Sequence, residues 1–105
     1  MLIAKSKIKP GDVATFKLSN GDELVAKVEA TTPAGDFVLN KPHSVIPSQQ
    51  GVGLYPSLIT ADPDSNLSIA ASHVMMCAPT VPEIEAHYIK MTTGVVVAPK
   101  QSIIV

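Results

Sequence analysis

Val13-Ala-Thr-Phe-Lys-Leu-Ser-Asn-Gly-Asp-Glu-Leu-Val-Ala-Lys-Val-Glu-Ala30 is the stretch that decides the fold. Two runs of alternating apolar and polar residues flank Asn20-Gly21. An Asn-Gly pair between such runs is the sequence signal of a β-hairpin, with a type I′ turn expected at its tip. Because successive strand residues point to opposite faces, Ala14, Phe16, Leu18, Leu24, Ala26 and Val28 share one face. Thr15, Lys17, Glu23, Lys27 and Glu29 share the other, with Val13 and Val25 among them.

Working outward, Pro10-Gly11-Asp12 is a turn that starts the first strand, and Lys5, Lys7 and Lys9 alternate in the arm before it. After the hairpin, Thr31-Thr-Pro-Ala-Gly-Asp36 is turn-rich. Phe37-Val-Leu-Asn40 reads as a third strand, interrupted at Lys41-Pro42 and able to resume over His43–Ile46. Proline lacks the N–H that a ladder needs, so a bulge, bend or edge is expected there. A fourth strand spans residues 52–60, with Pro56 demoting it to an edge. A loop follows at Ala61-Asp-Pro-Asp-Ser-Asn66, and residues 67–78 form a fifth extended region. From Val74 to Ala78 both faces are apolar, as in a strand buried on both sides. Thr80-Val-Pro-Glu83 has the pattern of a capping box, so a helix is expected over 80–93. Val81, Ile84, Tyr88 and Met91 form its apolar stripe, and Gly94 stops it. The expected organisation is one domain over 1–105: an arm at 1–10, a barrel at 13–78, the helix, and a strand or tail at 95–105. Five strands and one helix point to a mainly β fold, a strongly bent and partly open antiparallel barrel.

Composition narrows the function. In 105 residues, 46% are hydrophobic, enough for a packed core and suggestive of surface buried between subunits. No apolar run approaches the roughly 20 residues of a membrane helix, and the first residues turn charged too soon for a signal peptide. A single Cys77 makes no internal disulfide, so a reducing, cytoplasmic setting is expected. Net charge is −1, and all eight basic residues are lysine. The lack of arginine weighs against extensive bidentate contacts to nucleic acid.

Catalytic and metal signals are missing. Cys77 sits in an apolar Met-Met-Cys-Ala run and reads as a structural thiol. His43, His73 and His87 have no spacing that assembles a metal site. Asp62, Asp64 and Asn66 imitate the start of a calcium loop, but Leu67 and His73 stand where glycine and a bidentate glutamate belong. No phosphate-binding glycine motif is present. A non-enzymatic protein with no cofactor is expected. Of the four aromatic residues, only Phe37 and Tyr55 lack an assigned core role, and core packing is the simpler expectation for each.

The hairpin resembles the first motif of Sm-like (LSm) proteins: Leu18, Asn20, Gly21 and Val28 match its "L-x-N-G" and following valine, with Ala26 at the position of the usual glycine. Asp36-Phe-Val-Leu-Asn40 is similar to the family's third strand. The strings Gly53-Leu-Tyr-Pro-Ser-Leu-Ile-Thr-Ala-Asp-Pro-Asp, Ser72-His-Val and Glu85-Ala-His-Tyr-Ile-Lys-Met-Thr-Thr-Gly94 look like those of small Sm-like proteins of tailed phages, notably of marine cyanobacteria. The resemblance implies a five-stranded SH3-like or Sm-like barrel. It also implies a homo-oligomeric ring closed by pairing the fourth strand of one subunit with the fifth of the next. The implied ligand is single-stranded RNA, met by loops at the pore. If phage-encoded, the protein would work in the host cytoplasm. The family's pore-loop Asx would be Asp36 or Asn40, while its Arg-Gly has no counterpart in Ala70-Ala-Ser-His73. The residues this places at an RNA site are Asn40, Lys41, His73 and Phe37. The alternative is a structural module recognising a phage or host protein, without RNA.

Overall fold

A computed structural model describes residues 8–62 and 64–94. The expected lysines 5 and 7 of the arm, and the expected strand or tail at 95–105, lie outside the described residues. The described residues form six strands: β1 (Val13–Leu18), β2 (Glu23–Thr31), β3 (Phe37–Ser48), β4 (Gly51–Pro56), β5 (Asn66–Ile69) and β6 (Val74–Pro79). One helix follows, α1 (Pro82–Thr93). All pairings are antiparallel, in the order β4-β3-β2-β1-β6, with β5 also on β3.

Six strands replace the expected five because residues 67–78 do not run straight. They break after Ile69 into a 3-10 turn at Ala71–His73, then resume as β6. β4 and β5 share the role of one interrupted strand. β4 pairs β3 from His43 to Ser48, and β5 pairs the same edge of β3 from Phe37 to Asn40. The barrel is also not closed by a ladder: β6 pairs only β1 among the described strands. The 3-10 turn crosses the seam instead. The Ala71 N–H donates to Asp36 Oδ1 at 2.9 Å, and the Ser19 N–H donates to the His73 carbonyl at 2.8 Å.

The β1–β2 hairpin has the expected faces. Ala14, Phe16, Leu24, Ala26 and Val28 are buried with Leu39 inside the curled sheet. Phe16 is fully buried, and its ring meets Phe37 edge to face at 5.0 Å. Val13 and Val25, on the other face, are buried with Leu54 and Tyr88 under α1. The hairpin tip differs from the expected type I′ turn. Leu18 N–H donates to Asp22 O, Gly21 N–H donates to Leu18 O, and only Gly21 takes positive φ (95°). This is the three-residue loop with a left-handed glycine after a type I turn. Asn20 stays at negative φ, with its side-chain oxygen accepting the Asp22 N–H at 2.9 Å. The β2–β3 connection repeats the design in Thr32-Pro-Ala-Gly-Asp36, with Gly35 at φ 92°. Gly21→Ala should cost about 1 kcal/mol, the penalty for a Cβ in the left-handed region. Urea unfolding measures it, and no loss would refute this turn geometry.

The helix cap also departs from expectation. Val81 is the N-cap and Pro82 opens the helix, with no side-chain cap. The Thr80 hydroxyl is instead 2.9 Å from the Thr15 hydroxyl on β1. Of the expected stripe, Ile84 and Tyr88 pack on the sheet, joined by Ile89, while Val81 and Met91 remain exposed. Gly94 stops the helix in the left-handed conformation, as expected.

Candidate functional site

The most unusual backbone lies at Lys41-Pro42. Ala26 on β2 faces both residues, because Val25 pairs His43 and Lys27 pairs Asn40. That is the bulge the proline demands. Lys41 adopts φ 52°, the only non-glycine residue at positive φ among those described. A bulge leaves ladder groups without partners, and Tyr88 of α1 supplies them. Its hydroxyl accepts the Lys27 N–H at 3.1 Å and lies 2.8 and 2.9 Å from the Asn40 and Lys41 carbonyls, sharing its proton between them. Burial pushes the Tyr88 phenol up to about 12, the Lys27 N–H opposes this, and the Glu29 charge adds to it. His43 stands edge to face on Tyr88 at 5.6 Å, and its Nδ1–H donates to the Lys41 carbonyl at 2.9 Å.

The four residues expected at an RNA site are held by different neighbours. Asn40 spans the β3–β5 ladder, its Nδ2 donating to Asn66 Oδ1 at 3.2 Å. Lys41 makes a long ion pair with Asp64, 3.9 Å, and lines a cavity beside the bulge. His73 ends the 3-10 turn, exposed, with Nδ1 3.3 Å from the Ser19 hydroxyl at the hairpin tip. Phe37 is packed on Phe16 at the edge of the core, so its ring is partly occupied. Of the two Asx candidates, Asp36 is the one joined to the 70–73 turn, through Ala71; Asn40 is not. Tyr55 departs from the core packing expected of it: the residue is 58% exposed on β4. The edge character that Pro56 gives this strand in the sequence was the signal for that exposure, although the strand stops at Pro56 instead of continuing to residue 60.

The apolar run of β6 is not buried on both sides. Leu18 pairs Val74 while Lys17 pairs Met76, so Met75 is an extra, bulged residue. Met75 and Met76 are exposed in succession, 63% and 64%. Cys77 faces the core, half-buried, and burial raises its thiol, as suits a structural cysteine. Asp62 and Asp64 form a local turn, the Asp64 N–H donating to Asp62 Oδ1 at 2.9 Å. Among the described residues, no three His, Cys, Asp or Glu side chains cluster as a metal site, and no helix is long and apolar enough to cross a membrane.

These features define a small, strongly curled antiparallel sheet with one helix packed across its second face. No family model matches the sequence, and no curated protein matches it. Among solved structures, the chain is similar to a heptameric archaeal Sm protein, with a TM-score of 0.47 and 13% identity, over 67% of this chain and 87% of that one.

Proposed function

We propose that this protein is a non-catalytic, Sm-like small barrel of the phage type that assembles edge to edge into a homo-oligomeric ring. The observation that carries this reading is the pair of open sheet edges. β4 pairs only β3 and β6 pairs only β1 among the described strands. Exposed apolar side chains accompany both: Val52 and Tyr55 on β4, Met75 and Met76 on β6. An unpaired, apolar strand edge is a template for another chain, and pairing unlike edges head to tail closes a ring when the rotation permits. Multi-angle light scattering should give a mass several times 11.0 kDa. A monomer at every concentration removes the ring.

Single-stranded RNA is the proposed ligand of the assembled ring. Asn40, Lys41 and His73 are the residues to test, Phe37 less so because its ring packs on Phe16. Repetition around a ring would multiply one lysine per subunit into a basic circle. Uridine- and adenine-rich oligonucleotides should bind, with log affinity falling linearly in log salt at about 0.7 per phosphate contact. No anisotropy change at low salt refutes RNA binding. Recognition of a protein partner is the second reading, favoured by the exposed Tyr55, Met75 and Met76 and by the absence of arginine. A pulldown enriching one protein and no nucleic acid decides for it.

A further inference from the structure

A cavity of ≈ 370 Å³ lies between the β3 bulge, the chain after β4 and the end of α1. It falls in the size range of small-molecule sites. The sheet does not require this space. His43 pairs Pro56 and Asn40 pairs Asn66, so residues 57–62 and 64–65 stand opposite only Lys41 and Pro42. The surplus chain folds out as a wall, presenting Leu58 at 53% and Ile59 at 89% exposure. Pro42, Leu67 and Met91 complete the apolar lining. Leaving Ile59 that open in water is unfavourable, and an apolar occupant would remove the cost.

The polar groups select the occupant's charge. Asp62 also lines the cavity and carries a negative charge, with its Oδ1 accepting the Asp64 N–H and its carbonyl accepting the Ser65 hydroxyl, so its carboxylate is oriented by its own loop. Lys41 is different. Its side chain is 28% exposed, and its ion pair is with Asp64, at 3.9 Å and 89% exposed. A pair that long and that wet holds the ammonium weakly. The lysine also holds φ 52° with its carbonyl on the Tyr88 hydroxyl, and non-glycine strain of this kind collects at functional sites.

We propose that this cavity binds a small amphipathic carboxylate, its apolar body between Leu58, Ile59, Leu67 and Met91 and its head group on the Lys41 ammonium. The site shares Lys41 with the proposed RNA contacts and Pro56 with the end of β4, and it goes beyond that reading because its occupant is a small molecule bound by one subunit.

The test is titration of the full chain, by calorimetry and amide chemical shifts, with decanoate, decyltrimethylammonium and butyrate, all below micelle formation. Decanoate should bind saturably and shift residues around Lys41, Leu58 and Met91. Decyltrimethylammonium, with the same tail and opposite charge, should bind about tenfold or more weakly, the worth of one charge-assisted hydrogen bond. Butyrate, lacking six methylenes, should not saturate. Lys41→Gly suits the positive φ, so the variant should fold, and it should lose the preference for the carboxylate. Ile59→Ser, at a side chain too exposed to support the fold, should weaken binding of both ten-carbon probes. Equal affinity for the two head groups, shifts confined to other faces, or unchanged decanoate binding in Lys41→Gly would overturn the proposal.

Discussion

Removing one oxygen atom, in Tyr88→Phe, should lower the free energy of unfolding by about 2 kcal/mol, with Tyr88→Ala losing about 3–5 kcal/mol. Tyr88 is 2% exposed, so no water replaces its hydroxyl. Phenylalanine would keep the packing against Val13, Val25 and Leu54 but strand the Lys27 N–H and the Asn40 carbonyl. The Lys41 carbonyl keeps a partner in His43, which limits the loss. Stranding a buried donor or acceptor costs the desolvation of that group, and that exceeds the net worth of an ordinary hydrogen bond. A loss below about 0.5 kcal/mol in urea unfolding would mean that the bulge satisfies itself. The same hydroxyl gives a pH signature. Folding raises its pKa from the ordinary 10 to about 12. The neutral phenol is therefore favoured by the folded state, and this stability is complete below pH 10. It is lost as pH climbs from 10 towards 12, because the unfolded chain releases the proton first. The readout is the stability difference between wild type and Tyr88→Phe, which should shrink across that window.

The second large effect concerns assembly. The double variant Val52→Asp/Met76→Asp should convert the proposed ring to single subunits while leaving each subunit folded. Both side chains are exposed in the isolated subunit, 45% and 64%, so a carboxylate there is solvated and nearly neutral for folding. In an edge-to-edge interface the same carboxylates would be buried without a partner on strands whose backbone groups are pairing, and an unpaired buried charge costs several kcal/mol per contact. Scattering mass should fall to one chain with circular dichroism unchanged. A variant that stays oligomeric shows that assembly uses another surface. The bulge at Met75 confines regular pairing along β6 to the residues after it, so Met76 is the more sensitive position.

Much of this was legible locally. The period-2 pattern around Gly21 assigned both faces of the hairpin, since strand geometry leaves only two directions for a side chain. Pro42 announced the bulge because a missing N–H is a property of the residue itself. Gly94 announced the helix end for a similar reason. The failures share a cause. Thr80 and Glu83 have the capping-box spacing, but Thr15, distant in sequence, competes for the Thr80 hydroxyl. Met75 and Met76 look like core from their type, but a register shift against β1 turns Met75 outward beside Met76, which alternation with Cys77 already faces out. Tyr55 and Phe37 look alike in sequence; only Phe37 has Phe16 beside it.

The candidate sites divide the same way. The sequence by itself determined that Lys41-Pro42 breaks the regular pattern of the third strand and that the chain turns before Phe37. Tertiary structure alone decided that Tyr88 seals the bulge, that Asp36 rather than Asn40 meets the 70–73 turn, and that the chain after β4 walls a cavity beside Lys41. Each of these joins groups dozens of residues apart or depends on the register of paired strands. Local propensity fixes backbone direction over a few residues. Which distant side chain fills a given gap depends on how the whole sheet curls, and a single residue of register turns a side chain to the opposite face.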